Sequence, residues 1–99
     1  MCEFKVIKKN DNSQIMEDIV IVNYNESNEL VFKDILGMAE IMKSALILNV
    51  NTINQTLTIV EHPLIKEFIC LVNDFLNKKA TKEEIDKVVI QLNKLKNSL

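Results

Sequence analysis

The 99-residue sequence predicts an α+β fold. A small, curled, antiparallel β-barrel-like domain of five or six strands is expected over residues 1–62, and an antiparallel helical hairpin over residues 63–99. Three observations carry that expectation. Up to residue 60, apolar and polar residues alternate in short runs separated by turn formers, the pattern of half-buried strands. A His62-Pro63 step follows. Beyond it, apolar residues recur every three or four positions, the period of an amphipathic helix.

The first strand is expected from Glu3 to Lys8, with Phe4 and Val6 on one face, closing at the turn formers Asn10, Asp11, Asn12 and Ser13. Residues 15–23 make a second strand in which the acidic pair Glu17 and Asp18 interrupts the apolar pattern, predicting a bulge or corner there. Asn25, Glu26, Ser27 and Asn28 form a turn without glycine or proline, and Leu30 to Lys33 a third strand. The only glycine, Gly37, ends the run Asp34, Ile35, Leu36, Gly37, where a positive φ reverses the chain at little steric cost. Residues 38–50 read as one bent strand or two short ones, broken near Lys43 and Ser44. After a turn over residues 51–54, a closing strand runs over residues 55–60, with Leu57 and Ile59 alternating with Thr56, Thr58 and Val60. So many short strands in about sixty residues favour a barrel or a strongly curled sheet, because closure removes exposed edges.

Proline suits the first turn of a helix and holds its predecessor extended, so a helix is expected to begin after His62. From residue 64 to 79, Leu64, Ile65, Phe68, Ile69, Val72, Phe75 and Leu76 form one broad apolar stripe. Thr81 followed by Glu84 is a capping box, which starts a second helix at about Lys82. Its apolar residues Ile85, Val88, Leu92, Leu95 and Leu99 step by three and four, the spacing of a seam against a facing helix. The stripes are expected to cover one end of the barrel or, alternatively, to build a dimer interface.

Composition narrows the function. Arginine is absent; residues 1–62 carry five lysines against nine acids, and residues 63–99 seven lysines against five. A β domain of that sign is a poor tracker of phosphates, so nucleic acid is not the expected partner. No stretch reaches the roughly 18 apolar residues of a membrane span, and the opening residues do not resemble an export signal. A cytoplasmic setting is therefore expected, with Cys2 and Cys70 as free thiols. One histidine, one tyrosine, one glycine and no phosphate loop make an enzyme active site improbable.

Three residues still hold candidate chemistry. His62 could serve a metal or a proton, but a histidine before proline more often makes a junction hydrogen bond. Cys70 steps round its helix toward Lys66, Asn73 and Asn77, either as a small buried hydrophobe or as a thiol that is partly exposed or covered by a partner chain. Cys2 is the strongest candidate. Its thiolate, a neighbouring amine and the backbone nitrogen of Glu3 can wrap a divalent metal in five-membered rings, a mixed nitrogen and sulfur set that suits Ni²⁺ or Cu²⁺. One chain cannot easily fill such a plane, whereas a two-fold dimer offers two thiolates to one ion. The alternative is that position 2 tolerates any small residue.

Several segments resemble the CooT family: Met1-Cys2-Glu3-Phe4-Lys5-Val6, Asp34-Ile35-Leu36-Gly37, Ile47-Leu48-Asn49-Val50 and Leu57-Thr58-Ile59-Val60-Glu61-His62. The similarity spans roughly residues 1–62. Members are short β proteins; the founding one is a homodimer that binds nickel through the cysteine after the initiator methionine and serves carbon monoxide dehydrogenase maturation. Others are labelled predicted RNA-binding proteins. The resemblance implies Cys2 as a metal ligand, Glu3 through its backbone nitrogen alone, Ni²⁺ as the ion and a client nickel enzyme as partner. The leading expectation is thus a non-enzymatic, homodimeric nickel metallochaperone or store. Its rivals are an RNA-binding module using the basic helices and a protein-interaction adaptor docking through them.

Overall fold

A computed structural model of the chain describes residues 3–99. Six strands precede two helices: β1 (Phe4–Lys8), β2 (Ser13–Tyr24), β3 (Leu30–Asp34), β4 (Ala39–Met42), β5 (Ala45–Asn51), β6 (Thr56–Glu61), α1 (Pro63–Leu76) and α2 (Lys82–Asn97). The strands form one sheet in the order β4-β3-β2-β1-β6-β5. The α+β class and the C-terminal pair of helices are as the sequence predicts.

Two features of the expected barrel are corrected. The sheet is mixed, because β1 and β6 pair in parallel, Lys5 opposite Thr56 through Lys8 opposite Ile59. It is also not closed into a barrel, since β4 and β5 stand at its two edges. Yet only Lys43 and Ser44 separate these edge strands in the chain, so three Cα steps, at most about 11 Å, must join opposite ends of the sheet. Both strands run antiparallel to β1 in the ladder, so the chain continues from one into the other in the same sense. A twist of about 20–25° at each of the pairings between them rotates the edges steeply, allowing a corner-to-corner join without a ladder. Tyr24 ties the curl together by donating its hydroxyl to the Ala45 carbonyl oxygen at 2.7 Å. Burial pushes that phenol above its ordinary pKa.

Inside the curl, Val6, Ile19, Leu30, Phe32, Ala45, Leu57 and Ile59 are buried as one cluster, with Phe4, Met16, Val22 and Ile47 packed around it. The long strand β2 serves this core only because it is bulged. Asp18 lies at φ 58°, the register to β1 slips between Phe4 and Val6 and again between Val6 and Ile7, and the register to β3 slips between Ile19 and Ile21. Together the slips let Met16, Ile19 and Val22 contribute to the core at three-residue intervals where strict alternation would turn one outward.

Asparagine and aspartate make most of the reversals. Asn12, Asn28 and Gln55 adopt positive φ, as does Gly37 at 84°. The Asn25 side-chain oxygen accepts from Ser27 N and Glu29 N, that of Asn51 from Ile53 N and Asn54 N, and that of Asp34 from Leu36 N and Met38 N, all at 2.9–3.0 Å. Such side chains satisfy turn amides locally, replacing glycine as the turn former.

α1 begins where proline fixes the first helical φ, and the His62 Nδ1 accepts from Leu64 N at 3.1 Å as its cap. It stops at Leu76, three residues before the sequence-predicted end, with Asn77 as its C-cap and Lys78 at φ 60°. The Thr81 and Glu84 capping box is present and starts α2, with Lys94 and Lys96 in its last turn complementing the helix dipole. The helices pack on each other, and their short connection makes them antiparallel neighbours. They do not plug a barrel end. α1 leans on β5, none of its residues is fully buried, and α2 buries only Val88. Among the described residues no helix is long and apolar enough to cross a membrane.

Candidate functional site

The described residues begin at Glu3, which is half-buried and leads directly into β1. β1 is a central strand held on both sides: Phe4 faces Ile19 of β2, and Lys5 donates its backbone N–H to the Gln55 carbonyl at 3.0 Å beside the start of β6. The bulge at Asp18 joins the neighbouring turn through Ile35 N donating to the Asp18 carbonyl at 3.1 Å. The first described residue is thus set against an anchored strand between two turns, whose tips expose Leu36 and Ile53. Cys2, the predicted thiolate ligand, lies outside the described residues. No cluster of three or more histidine, cysteine or carboxylate side chains able to hold a metal occurs among the described residues.

His62 is not brought to this end. β1 and β6 run in parallel, so Thr56 sits beside Lys5 while His62 follows the far end of β6, about 20 Å along a six-residue strand. Its hydrogen bonds are those of a junction. Its N–H donates to the Ser44 carbonyl at 3.1 Å, the Ser44 hydroxyl donates to its carbonyl, and the same hydroxyl accepts from Lys66 N at 2.9 Å. The residues that join the two sheet edges therefore also seat α1.

Cys70 is half-buried, and its sulfur accepts a hydrogen bond from Asn28 Nδ2 at 3.3 Å. Asn28 in turn accepts from Asn73, and the Lys66 ammonium pairs with Glu29 at 3.4 Å. The polar face predicted around Cys70 is real, but its partner is the turn between β2 and β3. A hydrogen bond from Asn25, aided by Lys66, holds the Glu29 carboxyl below its usual pKa. Neither Asn28 nor Glu29 was identifiable from sequence as a partner of α1, because the link spans 42 residues and nothing local encodes it. The one hint was that Cys70, Asn73 and Lys66 share a helix face.

A groove of about 500 Å³ opens at the far end of β1, lined by Lys8, Met16, Glu40, Met42, Lys43 and Glu61 among others. It follows the seam where the sheet fails to close. Lys8 and Glu61 pair across it at 3.4 Å, and Asn10 makes two bonds of 2.9 Å to the Glu61 backbone, so its polar groups already serve the fold.

The β region is where the chain can be placed among known proteins. A family model described as CO dehydrogenase accessory protein CooT matches residues 1–60. The chain belongs to the CooT family. That match starts before Cys2 and ends within β6, covering the anchored entry strand and the curled core but neither helix. Comparison with curated proteins finds no match. CooT membership therefore bears on the β region, while α1 and α2 lie beyond the matched residues.

Proposed function

We propose that this chain is a non-enzymatic accessory protein for a nickel-dependent carbon monoxide dehydrogenase, carrying Ni²⁺ as cargo through the Cys2 thiolate. The observation that carries this reading is the CooT match over residues 1–60, which includes the Met1-Cys2-Glu3 start. The anchoring of the entry strand supports it: Phe4 and Lys5 are bonded to β2 and the turn before β6, so a ligand set built on residues 2 and 3 would be tethered to a rigid strand. The donors are the Cys2 sulfur, a neighbouring amine and the Glu3 backbone nitrogen. Such a set favours a tetragonal ion of the Ni²⁺ type over Mg²⁺ or Ca²⁺.

One chain supplies a single thiolate at this position, so a homodimer in which two Cys2 residues share one ion completes the coordination. Release to the client is feasible because most of the ligands come from one short terminal segment and not from a buried cage. The acidic β region, net −4 from five lysines and nine acids, attracts cations and disfavours an RNA partner. Equilibrium dialysis of the reduced full-length chain against Ni²⁺ tests the reading. One ion per two chains is expected for the wild type and Cys70→Ser, and none for Cys2→Ser. Equal binding by Cys2→Ser would contradict it.

A further inference from the structure

The three methionines among the described residues converge on one part of the fold. Two clefts adjoin where the curl stays open: the groove of about 500 Å³ at the unclosed seam, and a smaller one of about 110 Å³ beside the turn between β3 and β4. Met16 and Glu40 line both, Met42 the larger and Met38 the smaller. The ladder explains why. Glu40 and Met42 stand opposite Phe32 and Leu30, which are fully buried, so both lie on the core-facing side of β4. Met38, two residues before Glu40, falls on that side by the strand period, and its carbonyl accepts from Asp34 N at 3.0 Å. Met16 comes from β2; like Met42 it is half-buried against the core, whereas Met38 is 67% exposed. One side of an edge strand thus carries thioether, carboxylate and thioether in alternation, with a third thioether across the clefts.

Composition does not account for this arrangement. The chain holds thirteen isoleucines against four methionines, and isoleucine suits an inward strand position better. Met38 and Met42 are about 13 Å apart at the backbone by ordinary strand rise. Their side chains are unbranched with three rotatable bonds, so both sulfurs can turn toward Glu40 from either side. A thioether is a soft, uncharged donor that selects Cu⁺ over Mg²⁺ or Ca²⁺. One carboxylate balances one positive charge, which matches a monovalent ion. No trio of histidine, cysteine or carboxylate able to hold a metal occurs among the described residues, so a hard or borderline divalent ion finds too few donors here.

We propose that Met16, Met38 and Met42, with Glu40, form a site for a soft monovalent metal ion, Cu⁺. The ion enters through the open seam and draws the exposed Met38 inward. Once bound, it links β4 to the first half of β2, which are not neighbours in the sheet. The site shares no residue with the nickel reading and does not depend on it.

The test is an NMR titration of the full-length chain carrying Cys2→Ser and Cys70→Ser, so that neither thiol competes, with methyl-labelled methionine. The probe is Ag⁺ in chloride-free buffer, an air-stable stand-in for Cu⁺. The Met16, Met38 and Met42 methyl signals are expected to move together and to saturate at one ion per chain. Met16→Leu conserves volume in the core; added to the same chain, it should weaken binding by about tenfold or more while circular dichroism shows the fold retained. Glu40→Gln should weaken it by a smaller factor. Methyl signals that stay still with Ag⁺ in excess, a response confined to Met1, or binding equally strong in Met16→Leu would overturn the proposal. Because this chain lacks Cys2, none of these outcomes bears on the nickel reading.

Discussion

The β region and the helical pair solve the same problem of apolar residues in opposite ways. Over residues 4–61 the curled sheet encloses its own core: Val6, Leu30, Phe32 and Ile59 are fully buried, and register slips along β2 keep inward positions filled. Over residues 63–97 two well-capped helices make regular amphipathic stripes, yet only Val88 is buried. Helix formation there is encoded locally, by Pro63, the His62 cap and the Thr81 capping box. Burial is not complete within one chain.

The comparison is broken most severely by substitutions inside the sheet. Phe32→Ala should cost about 3–5 kcal/mol in denaturant unfolding, the range for emptying a buried aromatic site, whereas Phe75→Ala should change the unfolding of the dilute chain by only about 0.5 kcal/mol. Equal costs would mean that Phe75 is covered within one chain. Thr81→Ala should lower stability by about 1 kcal/mol through loss of the α2 cap, with helical ellipticity falling first and β signals retained. Tyr24→Phe removes the bond that ties the curl to Ala45 and should cost about 1 kcal/mol, read as a lower melting temperature.

The smallest effect concerns pH. Glu29 has a depressed folded-state pKa, so its contribution is present above the unfolded value near 4.5 and is lost as pH falls below it. Glu29→Gln should flatten the decline in melting temperature between about pH 5 and 3. An unchanged slope would remove Glu29 and Lys66 from the account of how α1 is seated.

Much of this was legible in the sequence because it is local. Alternation located the strands, leaving open only whether residues 38–50 hold one bent strand or the two observed; Glu17 and Asp18 marked the bulge, Lys43 and Ser44 the break, Gly37 the positive φ, and Thr81 with Glu84 the second helix. Pairing was not legible. The parallel contact of β1 with β6 joins residues about fifty positions apart, and a strand has the same period of two whichever neighbour it finds. For the same reason the failure of β4 and β5 to pair, and so of the barrel to close, left no local mark. Stripe positions on the helices were readable, but whether the sheet or another chain covers them depends on how α1 is tilted by Asn28, Ser44 and Glu29, all distant in sequence. For the candidate site, a cysteine at position 2 and the flanking strand were visible, while the anchoring of that strand emerged only from the fold.

The central claim is that Cys2 holds nickel, and nickel K-edge X-ray absorption on the loaded, reduced, full-length chain tests it most directly. The account predicts sulfur in the first coordination shell of the wild type and of Cys70→Ser, and its disappearance in Cys2→Ser. A shell of nitrogen and oxygen alone in the wild type, or sulfur that persists without Cys2, would contradict it.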